Sequence, residues 1–322
     1  MKVWNFILSN LQNNIPVILL YVLESKGSSP GRKGFLMAVN ANGDFEGTIG
    51  GGIMETKLIE LSKAKMDKTN RETVVKKQYH DKKHARNQSG LICSGELTVA
   101  VLPLDKSGID NIKEIVNAKK DIYVKIGSNS DFQIISSSDS LKEEKMIIRS
   151  ESNFEATIKI PASKTIHIFG AGHVGLALAR QMSILGYYIM QYDDRPNLTT
   201  LSQNEYASEI RIIDYANLKN ELTFNPADIV VLVSFSYRSD KLLLQQLYRQ
   251  SFSFIGMMGS DNKIATLKKE LQDDGISEQE IEHVVMPIGV NIYSKTAEEI
   301  AVSIAAQIIF ELNKDLPTGR KY

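Results

Sequence analysis

The chain has 322 residues, enough for two domains that each bury a substantial core. Its 38 Lys and Arg residues balance its 38 Asp and Glu residues, which gives no support to a nucleic-acid partner or an anionic membrane surface. No apolar run approaches the roughly 20 residues that span a bilayer, and we expect no signal peptide. The single cysteine, Cys93, excludes an internal disulfide and a cysteine-rich metal site, so we expect a cytoplasmic protein.

The first part of the chain predicts a small α/β domain, which we place at residues 1–104. Short apolar runs rich in β-branched and aromatic residues predict strands, and helical spacing of apolar residues predicts helices. We expect helices over 1–12 and 53–65. We expect strands over 16–25, 73–80 and 97–104, and a hairpin over 35–49. The hairpin turns at the segment Asn42-Gly43-Asp44.

Residues 105–160 are less regular, and we interpret them as the end of the first domain plus a connector. The pattern predicts a helix over 107–120 and a hairpin over 121–138. Residues 139–153 are polar and are expected to be exposed.

From residue 164 predicted strands alternate with predicted helices, which is typical of a parallel sheet covered on both faces. The strands are expected at 164–170, 187–193, 228–236 and 252–259, and the helices at 172–186, 240–250, 261–275 and 296–312. The last helix opens with a capping box, Thr296-x-x-Glu299. The predicted fold class is therefore α/β, with a Rossmann-like domain over 161–322 after the smaller α/β domain.

The second domain carries the glycine pattern Gly170-x-Gly172-x-x-Gly175 between a predicted strand and a predicted helix. In dinucleotide-binding proteins the first glycine permits the turn, the second lets the backbone approach phosphate, and the third lets helix pack on strand. Asp193, at the end of the next strand, is placed to accept a hydrogen bond from a ribose hydroxyl. The alternative is a Rossmann fold that keeps its turn and binds no dinucleotide. His173 in the same loop either approaches a phosphate or caps the helix.

The first domain carries three consecutive glycines, Gly50, Gly51 and Gly52, directly before a predicted helix. A helix N-terminus has unpaired N–H groups and a partial positive charge, and glycines leave room for an anion to reach them. One glycine suffices for a structural turn, so three of them near the basic loop 26–34 favour a ligand that carries phosphate. Gly259 and Ser260 repeat the arrangement before a later helix.

Six segments of the chain resemble the XdhC/CoxI family, accessory proteins that mature molybdenum hydroxylases such as xanthine dehydrogenase. They are "KGSSPGRKGFLMAV", "GTIGGGIMET", "IFGAGHVGLALA", "DDRP", "FIGMMGSDNK" and "MPIGVNIYSKTAEEIAVSIAAQI". The resemblance implies a non-catalytic factor that binds molybdenum cofactor, supports its sulfuration and delivers it to a xanthine dehydrogenase-type apo-hydroxylase. That cofactor is a pterin with a dithiolene and a terminal phosphate, sometimes extended to a dinucleotide. A cysteine desulfurase as second partner and a homodimer are further expectations.

The glycine patterns and the resemblance together give a set of expected cofactor-binding residues. They are Ser28, Ser29, Arg32, Gly50, Gly51, Gly52, Glu55, Cys93, Gly170, Gly172, His173, Gly175, Asp193, Gly259 and Ser260. Glu55 either orients a pterin edge or only complements the helix dipole. Cys93 is either a metal ligand or sulfur carrier, or simply a buried thiol.

Three positions depart from the family pattern. Gly31 separates "GSSP" from its arginine, Ser94 follows Cys93 where glycine is usual, and Ser234-Phe235 stands where the family has Thr-His. Loss of that histidine weakens any expectation of catalysis in the Rossmann half. The alternatives are an NAD(P)-dependent oxidoreductase and a structural chaperone that never touches the cofactor.

Overall fold

A computed structural model describes residues 1–27, 29–66, 72–79, 95–118, 120–128, 130–135 and 143–315. The chain forms two compact units, Met1–Ser163 and Lys164–Tyr322. The helices are α1 (Lys2–Gln12), α2 (Ile53–Met66), α3 (Ile109–Asn117), α4 (His173–Ile184), α5 (Thr199–Ser202), α6 (Leu218–Glu221), α7 (Tyr237–Leu247), α8 (Asp261–Asp273), α9 (Glu278–Ile281) and α10 (Ala297–Asn313).

The strands of the first unit are β1 (Val17–Gly27), β2 (Leu36–Asn40), β3 (Phe45–Gly47), β4 (Val74–Tyr79), β5 (Gly95–Leu104), β6 (Ile122–Gly127), β7 (Ser130–Ile135), β8 (Lys145–Ser150) and β9 (Asn153–Ile160). Those of the second unit are β10 (Thr165–Phe169), β11 (Tyr188–Asp193), β12 (Glu209–Ile212), β13 (Ile229–Leu232) and β14 (Phe254–Met257).

An antiparallel sheet with the order β3-β2-β1-β5-β4 forms the centre of the first unit. Successive side chains of a strand point to opposite faces, so the continuous apolar run of β1 supplies two cores. Leu19 and Tyr21 pack on the side of α1, whereas Ile18 and Leu20 pack on the side of α2. Both faces are covered, which explains why this antiparallel strand reads as uniformly hydrophobic.

A second antiparallel sheet, β7-β6-β9-β8, also belongs to the first unit. Its buried side chains share a core with α1 and α3. Sequence analysis did not identify β9, although its residues from Phe154 to Ile160 alternate between buried and exposed, the period expected of a half-buried strand. Residues 145–150 are largely exposed, as their polarity predicts, but they form the edge strand β8.

The second unit is built on a five-stranded parallel sheet, which confirms the Rossmann-like fold class. The strand order is β12-β11-β10-β13-β14, and every neighbouring pair is parallel. α4 and α10 pack on one face, and α7 and α8 pack on the other. The order reverses between β10 and β13, where doubly wound folds bind their ligands.

Local side-chain chemistry sets the helix starts of this unit. α10 begins after Thr296, whose Oγ1 accepts a hydrogen bond from the N–H of Glu299 at 3.2 Å, so the predicted capping box is confirmed. α7 begins three residues earlier than predicted, because Ser236 caps it by accepting from the N–H of Ser239 at 3.0 Å. The edge strand β12 was missed because its residues are mostly exposed and give no apolar run. Within the described ranges, no helix has the length and apolarity needed to cross a bilayer.

Candidate functional site

The triple-glycine turn of the first unit lies directly against the loop that precedes β2. Gly50, Gly51 and Gly52 have φ values of 129°, 77° and 76°, a region that favours glycine. A Cβ on Gly50 would lie 2.6 Å from the backbone N of Gly31, and a Cβ on Gly31 would lie 2.2 Å from the carbonyl oxygen of Ile49. The two loops therefore touch backbone to backbone. This contact requires Gly31, the residue that departs from the family pattern.

One carboxylate oxygen of Glu55 fills this turn. Its Oε1 accepts hydrogen bonds from the backbone N–H of Ile49 at 2.8 Å, of Gly51 at 2.8 Å and of Gly50 at 3.2 Å. The hydroxyl of Thr48 donates to the same oxygen. Burial raises the pKa of Glu55, but these hydrogen bonds outweigh it and hold the pKa below its usual value. Amides that were expected to bind an external anion therefore already bind one that belongs to the chain.

Part of the turn stays open to a ligand. A Cβ placed on Gly51 would meet no atom within 4 Å, so another molecule can approach the backbone there. In the part of the chain that the structure describes, the N–H groups of Gly52 and Ile53 have no acceptor, and both residues are exposed. Gly52 and Ile53 thus keep the free backbone donors that an anionic group needs.

The remaining predicted residues of the first unit differ in their placement. Ser29 is buried and Arg32 is exposed on the neighbouring loop. Ser28 and Cys93 lie outside the described residues. The roles assigned to these four residues stay predictions.

Of the three glycines in the turn before α4, packing requires two and leaves one unconstrained. Gly170 has a φ of 114°, and a Cβ there would lie 2.3 Å from the carbonyl oxygen of Val233. A Cβ on Gly175 would lie 1.9 Å from the carbonyl oxygen of Gly170, so α4 packs directly on the end of β10. A Cβ on Gly172 would meet no atom within 4 Å. Gly172 is therefore the place where a ligand can reach the backbone.

Side chains from β11 and α5 hold the turn from the inner side. Gln191 donates from Nε2 to the carbonyl oxygen of Gly170 at 2.7 Å, and the Thr200 hydroxyl donates to the carbonyl oxygen of Ala171. The N–H of Ala171 donates to Oδ2 of Asp193 at 2.7 Å. The backbone groups of the turn that face the protein are therefore satisfied internally.

Arg195 engages the carboxylate of Asp193. Its backbone N–H and its Nε donate to Oδ1 at 3.0 and 2.8 Å, and its Nη2 donates to Oδ2 at 3.0 Å. Burial raises the pKa of Asp193, but hydrogen bonds from Arg195 and Ala171 outweigh burial and lower it. The Asp193 side chain is only 1% exposed. A ribose hydroxyl, the predicted partner of Asp193, would have to compete with Arg195 for this carboxylate.

The same guanidinium also covers an exposed aromatic ring that sequence analysis did not assign to the site. The Arg195 Cζ lies 4.9 Å from the ring centroid of Phe235, and Phe235 is 83% exposed. This distance is that of a cation–π contact. Both residues stand in segments quoted for their family pattern, but no spacing in the sequence links a residue after β11 to one after β13.

A second group of polar side chains lies at the ends of β13 and β14, and it too was missed. The Ser234 hydroxyl donates to Oδ1 of Asp240 at 2.5 Å, and Lys263 pairs with Oδ2 of the same carboxylate. Lys263 also donates to the carbonyl oxygen of Met258 at 3.4 Å. Burial raises the pKa of Asp240 despite the opposing effect of Lys263 and Ser234. Ser234 and Lys263 are 6 and 23 residues away from Asp240 in sequence, so no local pattern predicts these contacts.

Three further predicted residues lie at helix starts. Ser260 caps α8 by accepting a hydrogen bond from the N–H of Lys263 at 3.4 Å. A Cβ on Gly259 would lie 3.2 Å from Cδ of Lys263, so this glycine makes room for that side chain. His173 is exposed in the first turn of α4, and no side-chain hydrogen bond caps that helix in the described structure.

Two family models match the chain. The XdhC Rossmann domain matches residues 166–308, and the XdhC and CoxI family matches residues 11–76. The chain belongs to the XdhC and CoxI family. The two matches together include the triple-glycine turn, the turn at Gly170 and the Arg195–Phe235 pair.

Relatives of this XdhC and CoxI family member differ in how much of the chain they cover. The uncharacterized protein YqeB of Escherichia coli strain K12 is 22% identical over 321 residues, 96% of this chain and 46% of that protein. A probable xanthine dehydrogenase subunit of Bacillus subtilis strain 168 is 28% identical over 151 residues, 47% of this chain and 44% of that protein. The chain thus spans about half the length of these curated relatives.

A solved structure has the same fold over nearly the entire length. It is a crystal structure described as a xanthine dehydrogenase from Bacillus halodurans, with a TM-score of 0.75 and 23% identity. The match covers 98% of each chain. The architecture described above is therefore shared with an experimentally determined protein.

The described residues of this family member hold no cluster of three or more His, Cys, Asp and Glu side chains that could bind a metal ion. Cys93, the predicted metal ligand, is outside those residues. Within its described residues, the first unit offers free backbone donors at Gly52 and Ile53. The second unit, taken by itself, offers the accessible backbone of Gly172 and the cation–aromatic pair of Arg195 and Phe235. These groups suit a phosphate and a planar ring.

Proposed function

We propose that this protein is an accessory factor for a molybdenum hydroxylase of the xanthine dehydrogenase type. It binds molybdenum cofactor, supports its sulfuration and delivers it to the apo-hydroxylase. Family membership supports the proposal, as do two relatives whose descriptions refer to xanthine dehydrogenase. A cysteine desulfurase as sulfur donor and a homodimeric state are parts of the same proposal.

The observation that carries the proposal is the open backbone at Gly51 and Gly172. Each glycine stands at the start of a helix, and at each a Cβ would meet no neighbouring atom. A terminal phosphate fits such a place, because free N–H groups and the helix dipole both favour a negative charge. The residues present therefore fit the phosphate of the cofactor. As part of the same proposal, the thiolate of Cys93 is a soft ligand for molybdenum or a sulfur carrier.

The surroundings of the second glycine turn favour cofactor binding over the alternative, an NAD(P)-dependent oxidoreductase. Asp193 is engaged by Arg195 and Ala171, which takes away the usual acceptor for a ribose hydroxyl. Phe235, at the switch point of the sheet, has no proton to transfer. Both features suit a protein that holds its ligand without reacting with it.

Ligand analysis tests the proposal most directly. Full-length protein is purified without oxygen, and the small molecules it releases are identified by mass spectrometry together with a molybdenum assay. We expect a phosphorylated pterin in the wild-type preparation and activation of a purified apo-hydroxylase by it. Recovery of a nicotinamide nucleotide and no pterin would instead support the oxidoreductase. Activation of the apo-hydroxylase without any bound pterin would support a purely structural chaperone.

A further inference from the structure

The turn at Gly170 and the end of β13 lie side by side at the point where the strand order of the sheet reverses. A Cβ on Gly170 would lie 2.3 Å from the carbonyl oxygen of Val233 and 2.8 Å from Cα of Ser234. α4 follows β10 on one face, and α7 follows β13 on the other. In such folds the usual ligand position is at this edge of the sheet, between the diverging helices. Phe235 is the residue directly after Ser234.

Phe235 is held in place although it is exposed. Its ring is 83% exposed and belongs to none of the hydrophobic clusters of the described residues. One face lies under the guanidinium of Arg195, 4.9 Å from the ring centroid. The ring therefore packs against a charged side chain and not into an apolar cluster of the described residues. Such an arrangement leaves aromatic surface available to another molecule.

The guanidinium that covers the ring is itself fixed to the glycine turn. Arg195 donates Nε and Nη2 to the two oxygens of Asp193, at 2.8 and 3.0 Å. Asp193 in turn accepts from the N–H of Ala171 at 2.7 Å. Bidentate geometry restricts the guanidinium plane. The aromatic ring, the cation and the turn therefore form one connected and preorganised surface, with the open backbone of Gly172 beside it.

We infer that Phe235, under Arg195, is the residue on which the planar heteroaromatic ring of the ligand stacks while the phosphate of the ligand lies at Gly172. The inference rests on the function proposed above and names the group that recognises the ring. Ligands that combine a planar ring with a phosphate on a short linker satisfy both parts of the surface. Phe235 is thus a specificity-determining residue for ring-bearing ligands.

The test uses full-length protein and molybdenum cofactor released without oxygen from a purified molybdenum enzyme. Wild type is compared with Phe235→Ala, which removes the ring, and with Phe235→Tyr, which keeps it. Phe310→Ala is the matched control, because Phe310 is 61% exposed on α10 of the same unit. Molybdenum and pterin retained after gel filtration are measured, and thermal unfolding verifies that each variant is folded.

We expect Phe235→Ala to weaken retention by about 5- to 100-fold, the range for losing one aromatic stacking partner. Phe235→Tyr and Phe310→Ala should stay within about twofold of wild type by the same measure. Equal retention by Phe235→Ala and wild type would overturn the inference and leave the proposed function standing. Equal losses in the Phe235 and Phe310 variants would also overturn it. Failure of wild type itself to retain the cofactor would overturn the proposed function, and the inference with it.

Discussion

Oε1 of Glu55 lies 2.8 Å from the backbone nitrogen of Gly51, so a carboxylate of the chain fills the glycine turn in front of α2. The same oxygen accepts from the N–H groups of Ile49 and Gly50. A turn that concentrates backbone donors favours an anion, and here a residue of the following helix supplies it. We therefore expect an external phosphate to bind at the next two residues of the chain, Gly52 and Ile53, whose N–H groups are free in the described structure.

Removing this carboxylate should loosen the turn. In Glu55→Ala we expect faster hydrogen exchange at the amides of Gly50 and Gly51 and a loss of about 1 kcal/mol of stability, since water replaces part of the lost hydrogen bonding. Glu55→Gln keeps an acceptor oxygen and should lose less. Glu60→Ala, an exposed position on the same helix, is the control. Unchanged exchange at Gly51 in Glu55→Ala would show that Glu55 does not hold the turn.

The same contact predicts a pH dependence. Burial raises the pKa of Glu55, but hydrogen bonds from Thr48 and the backbone amides lower it by more than burial raises it. The pKa of Glu55 is therefore lower in the folded state than in the unfolded state. The stabilising contribution is therefore present above the unfolded value of about 4.3 and is lost as pH falls through the folded pKa. Exchange at Gly51, corrected for its intrinsic pH dependence, should accelerate below about pH 4 in wild type. Glu55→Gln should lack this acceleration.

Two glycines of one turn should differ in how strongly the same substitution to alanine destabilises the protein. Gly175→Ala places a Cβ 1.9 Å from the carbonyl oxygen of Gly170, and we expect a loss of roughly 2–3 kcal/mol or more from overpacking. Gly172→Ala has a φ of −71° and open space, so it should cost no more than about 1 kcal/mol. Urea unfolding measures both.

Ligand retention separates the roles of these glycines further. Gly172→Ala should retain less molybdenum cofactor than wild type at nearly unchanged stability, because the new methyl group stands where the phosphate approaches. Normal retention by folded Gly172→Ala protein would argue against a ligand at this backbone.

The pair of Asp240 and Lys263 should behave as a coupled unit. Asp240→Ala leaves the Lys263 ammonium without its main partner and should cost about 3 kcal/mol. Adding Lys263→Met removes the uncompensated charge, so the double variant should lose less than the sum of the single changes. A double-mutant cycle by urea unfolding measures the coupling, with Lys269→Met as an exposed control on the same helix. Additive losses would contradict the coupling.

Much of the fold could be predicted because its signals are local. Apolar runs, the 3.6-residue period and the capping box at Thr296 each depend on neighbouring residues in the chain, and they located the long helices and the buried strands. The edge strands β8 and β12 were not predicted, because their side chains are largely exposed and bury little apolar surface. Short helices such as α5 escaped because four residues contain too little periodicity.

Local sequence patterns suffice to predict the order of the long helices and buried strands, the α/β class and the places where the backbone must turn. Which polar groups of the candidate site are free depends on contacts that form when the chain folds. The sequence pattern suggests that Asp193 and Glu55 contact a ligand. In the structure, however, Asp193 accepts hydrogen bonds from Arg195, and Glu55 accepts them from the glycine amides. Phe235 gave no local signal and meets its guanidinium across the end of β10. Periodicity assigns a side chain to a face, whereas its hydrogen-bond partners come from strands and helices that only folding brings together.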